Sequence, residues 1–161
     1  MKKAILVTVL FIALLSACAP AATLAPTALP VESLSPAVVT MDMFYTFINT
    51  AQTVEDFILP WNMLTLDEQC NPSDKCDIQY FHAKWSVSKV YYRLYDCGPN
   101  VVTAEEMRYP RETNPSSLPA DSKYWTYELV DYDGVLMIGD TYLTQKPGEE
   151  CVLAIERVPQ P

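Results

Sequence analysis

Apolar positions in the first half of the chain recur at helical intervals, and from Ser86 they recur every second residue. Met41, Phe44, Tyr45 and Ile48 fall on one face of a 3.6-residue period, which predicts an amphipathic helix. Ser35 followed by Pro36 suits its N-cap and first turn, and Asn49-Thr50 marks its end. A second helix is expected after Thr53 as cap, with Glu55 and Asp56 in the first turn, where the helix dipole favours acids. Phe57, Ile58, Trp61 and Leu64 would form its buried face, and Pro60 would kink or restart it. A third helix is read over residues 78–85, with Ile78, Phe81 and Trp85 aligned.

In the second half, Val90, Tyr92 and Leu94 alternate with Lys89, Tyr91 and Arg93 up to Cys97, the period of a half-buried strand. Gly98-Pro99-Asn100 is a turn into a second strand over 101–109. Residues 110–122 read as a polar, proline-containing loop. A third strand at 123–132 and a fourth at 135–145 flank Asp133-Gly134, a strong hairpin signal. A short last strand is expected at 151–155. Helices followed by a run of strands predict an α+β domain, with three N-terminal helices on an antiparallel sheet.

The amino end has a different pattern. Lys2 and Lys3 precede an apolar run from residue 4 to 15, broken only by Thr8. That run is shorter than the ~20 apolar residues a spanning helix needs and fits the core of a secretory signal. Its last residues, Leu15-Ser16-Ala17-Cys18, closely resemble the bacterial lipobox. The resemblance implies cleavage before Cys18, a diacylglyceryl thioether on Cys18 and an acylated new N-terminus. More than one acyl chain is what stable anchoring takes. The organisation expected is therefore a signal peptide at 1–17, lipidated Cys18 with a Pro/Ala/Thr-rich tether to residue 35, and one globular domain at 36–161. The prolines of the tether favour extended structure.

A second resemblance concerns the domain itself. Phe44-Tyr45 in a first helix, Trp61 in a short second one, and Phe81-His82-Ala83-Lys84-Trp85 leading into the first long strand resemble the opening of nuclear transport factor 2-like proteins. This likeness covers roughly residues 38–145 and implies a curved sheet wrapped around the helices as a cone. The strand holding Cys151 and the loop at 110–122 stand outside the pattern.

Charge narrows the partners. The chain carries 11 Lys and Arg against 20 Asp and Glu. Loss of residues 1–17 would leave nine against 20, a formal charge of −11. Such an acidic domain is a poor match for nucleic acid or for anionic headgroups, so membrane attachment would fall to the lipid. Of five cysteines, Cys18 is assigned to lipid. Cys70, Cys76, Cys97 and Cys151 remain, an even set that reads as two disulfides in an exported chain. Cys70–Cys76 around a tight polar loop, with Cys97–Cys151 between turn signals, is the pairing favoured of the three possible. The spacings do not match paired zinc ligands.

Candidate chemistry is sparse. The superfamily resembled includes isomerases, dehydratases and cyclases, whose chemistry needs a carboxylate base and acids such as Tyr converging on an apolar pocket. Glu105 and Glu128 lie on predicted strands and could point inward, although strand carboxylates more often face water. His82, the single histidine, reads as a surface or partly buried structural residue at the edge of the apolar helix face. Asp131-Tyr132-Asp133-Gly134 hints at a calcium loop, but Val135, Met137 and Gly139 stand where further oxygen ligands are required. Four glycines in all leave little room for a phosphate-cradling loop. No catalytic residue, cofactor or metal is expected. Tyr91, Tyr92, Tyr95, Tyr109, Tyr124, Trp125, Tyr127, Tyr132 and Tyr142 crowd the sheet, some as filling and some suited to a binding surface. The reading is a tethered domain at the cell envelope that binds an envelope protein or small ligand; the alternative is an isomerase- or dehydratase-like enzyme acting in the cone pocket.

Overall fold

The computed structural model describes residues 33–72, 74–113 and 121–158. The residues read as a signal peptide, Cys18 and most of those read as a tether lie outside these residues, as does the middle of the 110–122 segment.

Helix α1 (Pro36–Thr50) begins as its sequence predicts, with the Ser35 hydroxyl accepting from the Val38 N–H at 3.3 Å and proline in the first turn. Its inward face holds Val38, Met41, Phe44, Tyr45 and Ile48, all buried. The next segment departs from expectation. Thr53 does not cap it; instead the Asp56 carboxylate accepts from the Gln52 and Thr53 N–H groups and the Thr53 hydroxyl. A 3-10 turn, Glu55–Phe57, then passes directly into α2 (Ile58–Asn62). The restart precedes Pro60, whose missing N–H falls in the first helical turn, where it is tolerated. Phe57 and Leu64 are buried, whereas Ile58 is exposed and Trp61 half-buried. A further short helix, α3 (Leu66–Gln69), is capped by the Thr65 hydroxyl accepting from the Glu68 N–H. With α4 (Ile78–Trp85), capped by Asp77, four helices and a 3-10 turn precede the sheet where three helices were expected.

The strands are β1 (Ser88–Asp96), β2 (Val101–Pro110), β3 (Lys123–Tyr132), β4 (Val135–Thr144) and β5 (Val152–Arg157). They form one antiparallel, curved sheet in the order β4-β3-β2-β1-β5. The first four make a meander, and β5 returns to pair with β1 at the far edge. Asp133 (φ 53°) and Gly134 (φ 85°) are both left-handed, so the β3–β4 connection is the two-residue turn whose twist matches its strands. Register slips at Glu128/Leu129 and Leu94/Tyr95 bend the sheet locally.

Alternation sorts the residues of β1 between two faces, whereas β2 is buried on both from Val102 to Met107. Val90, Tyr92, Leu94, Val102, Ala104, Tyr127, Leu129 and Ile138 join α1, Phe57 and α4 in the core. Aromatic rings dominate it: Phe44 meets Trp85 edge-on at 5.8 Å, and Tyr45 stacks on Tyr92 at 4.5 Å. Two polar side chains complete the closure of α1 on the sheet. The Asn49 amide donates to the Val90 carbonyl at 2.7 Å and accepts its N–H at 2.8 Å. Arg111 donates to the carbonyls of Ser86, Ile48 and Asn49, satisfying the end of α1. The edge of β4 is partly covered, because Met63 O accepts from Ile138 N–H and Ile138 O from Thr65 N–H, both at 2.8 Å.

The four cysteines outside the amino-terminal segment form two disulfides, Cys70–Cys76 and Cys97–Cys151. The second ties the end of β1 to the start of β5.

Candidate functional site

The polar cluster that joins the helices to the sheet in the core is built by β2. Once Val102 and Ala104 face the helices, strand parity sends Glu106 and Arg108 to the same side. The Glu106 side chain is only 1% exposed. Its Oε1 accepts from the hydroxyl of Tyr45 on α1 at 2.6 Å and from that of Tyr127 on β3 at 2.8 Å. The two phenol oxygens are themselves 2.8 Å apart, so two protons are shared around a ring of three oxygens. Oε2 accepts from Arg108 Nε at 3.0 Å and Nη2 at 2.8 Å. The Arg108 guanidinium sits 4.2 Å from the Trp85 ring centre, as a cation over an aromatic face.

The electrostatics follow from this packing. Burial raises both phenols well above the ordinary tyrosine range, and the negative charge on Glu106 raises them further. Burial works against the charged Arg108, but the adjacent Glu106 outweighs it and raises the guanidinium's pKa. A carboxylate offers about four acceptor sites, and phenols and guanidinium occupy them here. Glu106 borders the pocket described next, but its bonds all run to the two phenols and the guanidinium.

Beside the ion pair lies a pocket of about 350 Å³ lined by Lys84, Glu106, Arg108, Asp121, Lys123 and Trp125. Five of its six lining residues are charged, but aliphatic stems and the Trp125 ring make up about half of its exposed surface.

Glu105 and Glu128, read as carboxylates that could turn inward, both lie on the face away from the helices. Glu105 is held by Arg93 at 3.1 Å and Ser122 at 2.8 Å, with the Tyr95 hydroxyl at 3.4 Å. Burial alone would raise its carboxyl; its bonds from Ser122, Arg93 and Tyr124 outweigh that and lower it. Glu128 is exposed and accepts from Tyr142 at 3.1 Å. Parity explains both, since odd positions on β2 and even positions on β3 face outward. His82 is half-buried, edge-on to Phe57 at 5.2 Å. Asp131 accepts from the Gly134 N–H at 2.7 Å as part of the hairpin. Among the described residues no group of three or more metal-ligating side chains gathers, and no helix is long and apolar enough to cross a membrane. Of the tyrosines, Tyr92 and Tyr127 fill the core, while Tyr91 and Tyr109 pair edge-on on the outer face. The inward carboxylate Glu106 went unread in the sequence, although its parity with Val102 and Ala104 carried the signal.

Comparison with protein-family models, with curated proteins and with solved structures finds no match to this chain.

Proposed function

We propose that the chain is an extracytoplasmic lipoprotein, anchored in the membrane through lipid on Cys18, whose domain binds a ligand or envelope partner without converting it. We further read the α+β domain as a nuclear transport factor 2-like cone. The aromatic positions Phe44, Tyr45, Trp61, Phe81 and Trp85 support this, all of them in contact with the core. Leu15-Ser16-Ala17-Cys18 supports the anchor, and two disulfides suit an oxidising compartment.

The observation that carries the non-enzymatic reading is the full occupation of Glu106. A general base must reach the proton it takes, and this carboxylate already serves two phenols and a guanidinium. The same trio of one carboxylate and two phenols favours a second reading, an isomerase- or dehydratase-like enzyme, since those groups are the ones such chemistry uses. The pocket beside it carries four further charged side chains, Lys84, Arg108, Asp121 and Lys123, to which a small apolar substrate would offer no partner.

Incubating the purified full chain with a β,γ-unsaturated ketone separates the two. Double-bond migration no faster than with the Glu106→Gln variant supports binding alone. Migration that Glu106→Gln abolishes supports the enzyme. The anchor is tested by fractionation: Cys18→Ser should move the protein from membranes to the soluble fraction.

A further inference from the structure

The pocket beside Arg108 gathers charges of both signs, and strand parity builds it. Lys123 on β3 stands directly opposite Glu106 on β2, so the two side chains share the helix-facing side of the sheet. Arg108, two residues beyond Glu106, falls on that side as well. Asp121 joins them from the chain just before β3, and Lys84 from α4.

Some of these charges are matched within the fold and some are not. Arg108 donates twice to Glu106, and Lys84 lies 3.4 Å from the buried Asp74. Asp121 and Lys123 are both exposed, and neither makes an ion pair or hydrogen bond among the described residues. Arg108 also keeps capacity in reserve. Its Nε and Nη2 hold Glu106, while Nη1 makes no bond among the described residues, on a side chain 35% exposed. Glu106 and the Trp85 ring, 4.2 Å away, fix the guanidinium in place. A ligand there meets a donor that is already ordered, which lowers the cost of binding.

This pattern selects among ligands. A simple anion would match Lys123 and Arg108 but set a second negative charge beside Asp121. A simple cation would satisfy Asp121 and oppose the other two. A small molecule with one carboxylate and one ammonium answers both signs at once. The volume, about 350 Å³, is near the lower end for small-molecule sites, which suits a ligand of amino-acid size. The apolar half of the exposed lining is available to its side chain.

We propose that this pocket binds a free α-amino acid as its zwitterion, the carboxylate on Arg108 Nη1 and Lys123 and the ammonium on Asp121. This deepens the binding reading above and rests on it. Acetylating the amine or converting the carboxylate to an amide removes one of the two charge matches, so each derivative is discriminated against.

Nuclear magnetic resonance of the uniformly ¹⁵N-labelled full chain in detergent tests this, with the backbone amides of Asp121 and Lys123 as reporters. Titrants are the standard L-amino acids one at a time, the N-acetyl and amide derivatives of any that bind, and inorganic phosphate. The expected result is a saturable shift of both reporters with at least one amino acid, and binding weaker by about tenfold or more for its two derivatives and for phosphate. Asp121→Asn and Lys123→Gln, both at exposed positions, should each weaken that amino acid about tenfold, equivalent to ~1.4 kcal/mol. Asp121→Asn should leave the affinity for the N-acetyl derivative unchanged, which separates a lost ammonium contact from a lost fold. No shift with any titrant, an N-acetyl derivative or phosphate bound as tightly as the amino acid, or unchanged affinity in either variant overturns the amino-acid site and leaves the non-enzymatic reading standing. Consumption of the amino acid in the same tube, read from its own signals, supports the site but overturns the non-enzymatic reading.

Discussion

The Tyr45 hydroxyl on the first helix and the Glu106 carboxylate on the second strand are 2.6 Å apart in the buried centre of the domain. That bond spans 61 residues of sequence and fastens α1 to the sheet from the inside. With Tyr127 and Arg108 it forms a closed polar network among aromatic rings. A buried charge is tolerated only when paired and hydrogen-bonded, and Glu106 meets both conditions.

Removing the carboxylate should therefore be expensive. Glu106→Ala leaves two buried phenols and a half-buried guanidinium without their acceptor, and breaking such a network costs about 3–5 kcal/mol. Denaturant unfolding should show this loss. Tyr127→Phe, which leaves Tyr45 and Arg108 in place, should cost less, about 1–2 kcal/mol.

Arg111 ties the end of α1 to the segment after α4. Arg111 donates to three carbonyls from two segments, two of them on the helix's last turn. Arg111→Met keeps much of the stem and deletes the donors, and should lower stability by about 2 kcal/mol. Faster amide exchange at the end of α1 would locate the effect.

The two disulfides should differ in weight. By loop-closure entropy, the 54-residue separation of Cys97–Cys151 corresponds to about 4 kcal/mol, and the six-residue separation of Cys70–Cys76 to about 2 kcal/mol. Cys97→Ser/Cys151→Ser should free β5 from the edge of β1 and lower the melting temperature further than Cys70→Ser/Cys76→Ser. Equal shifts would contradict this ordering.

Alkali should unfold the domain through its buried phenols. Burial, with help from its bond to Asp42, pushes Tyr92 up to about 12, against about 10 for an unfolded tyrosine. A group whose folded pKa is raised contributes stability that is complete below the unfolded value and is lost as pH climbs toward the folded one. Tyr45 and Tyr127 shift the same way. Thermal melts should hold steady to about pH 10 and then fall steeply toward 12. Tyr92→Phe should flatten the first part of that fall.

Local chemistry made much of the fold legible in advance. Ser35-Pro36 started α1, Asp133-Gly134 closed the β3–β4 hairpin, and the alternation of Val90, Tyr92 and Leu94 named the inward face of β1. What escaped were relations that sequence order hides. β5 returns to pair with β1, in a register that sets Ile155 opposite Leu94, and the Cys97–Cys151 bridge ties the two strands. The four-residue α3 is too short for a hydrophobic period to reveal. The parity of Val102 and Ala104 assigns Glu106 to the core, but a buried carboxylate is plausible only once partners as distant as Tyr45 are known to reach it.

The claim that this domain works outside the cytoplasm on a lipid anchor is most directly tested by mass spectrometry of the native protein extracted from membranes. The account predicts a first residue of Cys18 whose sulfur carries diacylglycerol and whose amino group is either acylated or newly exposed by cleavage. A chain beginning at Met1, or an unmodified thiol at position 18, would contradict it.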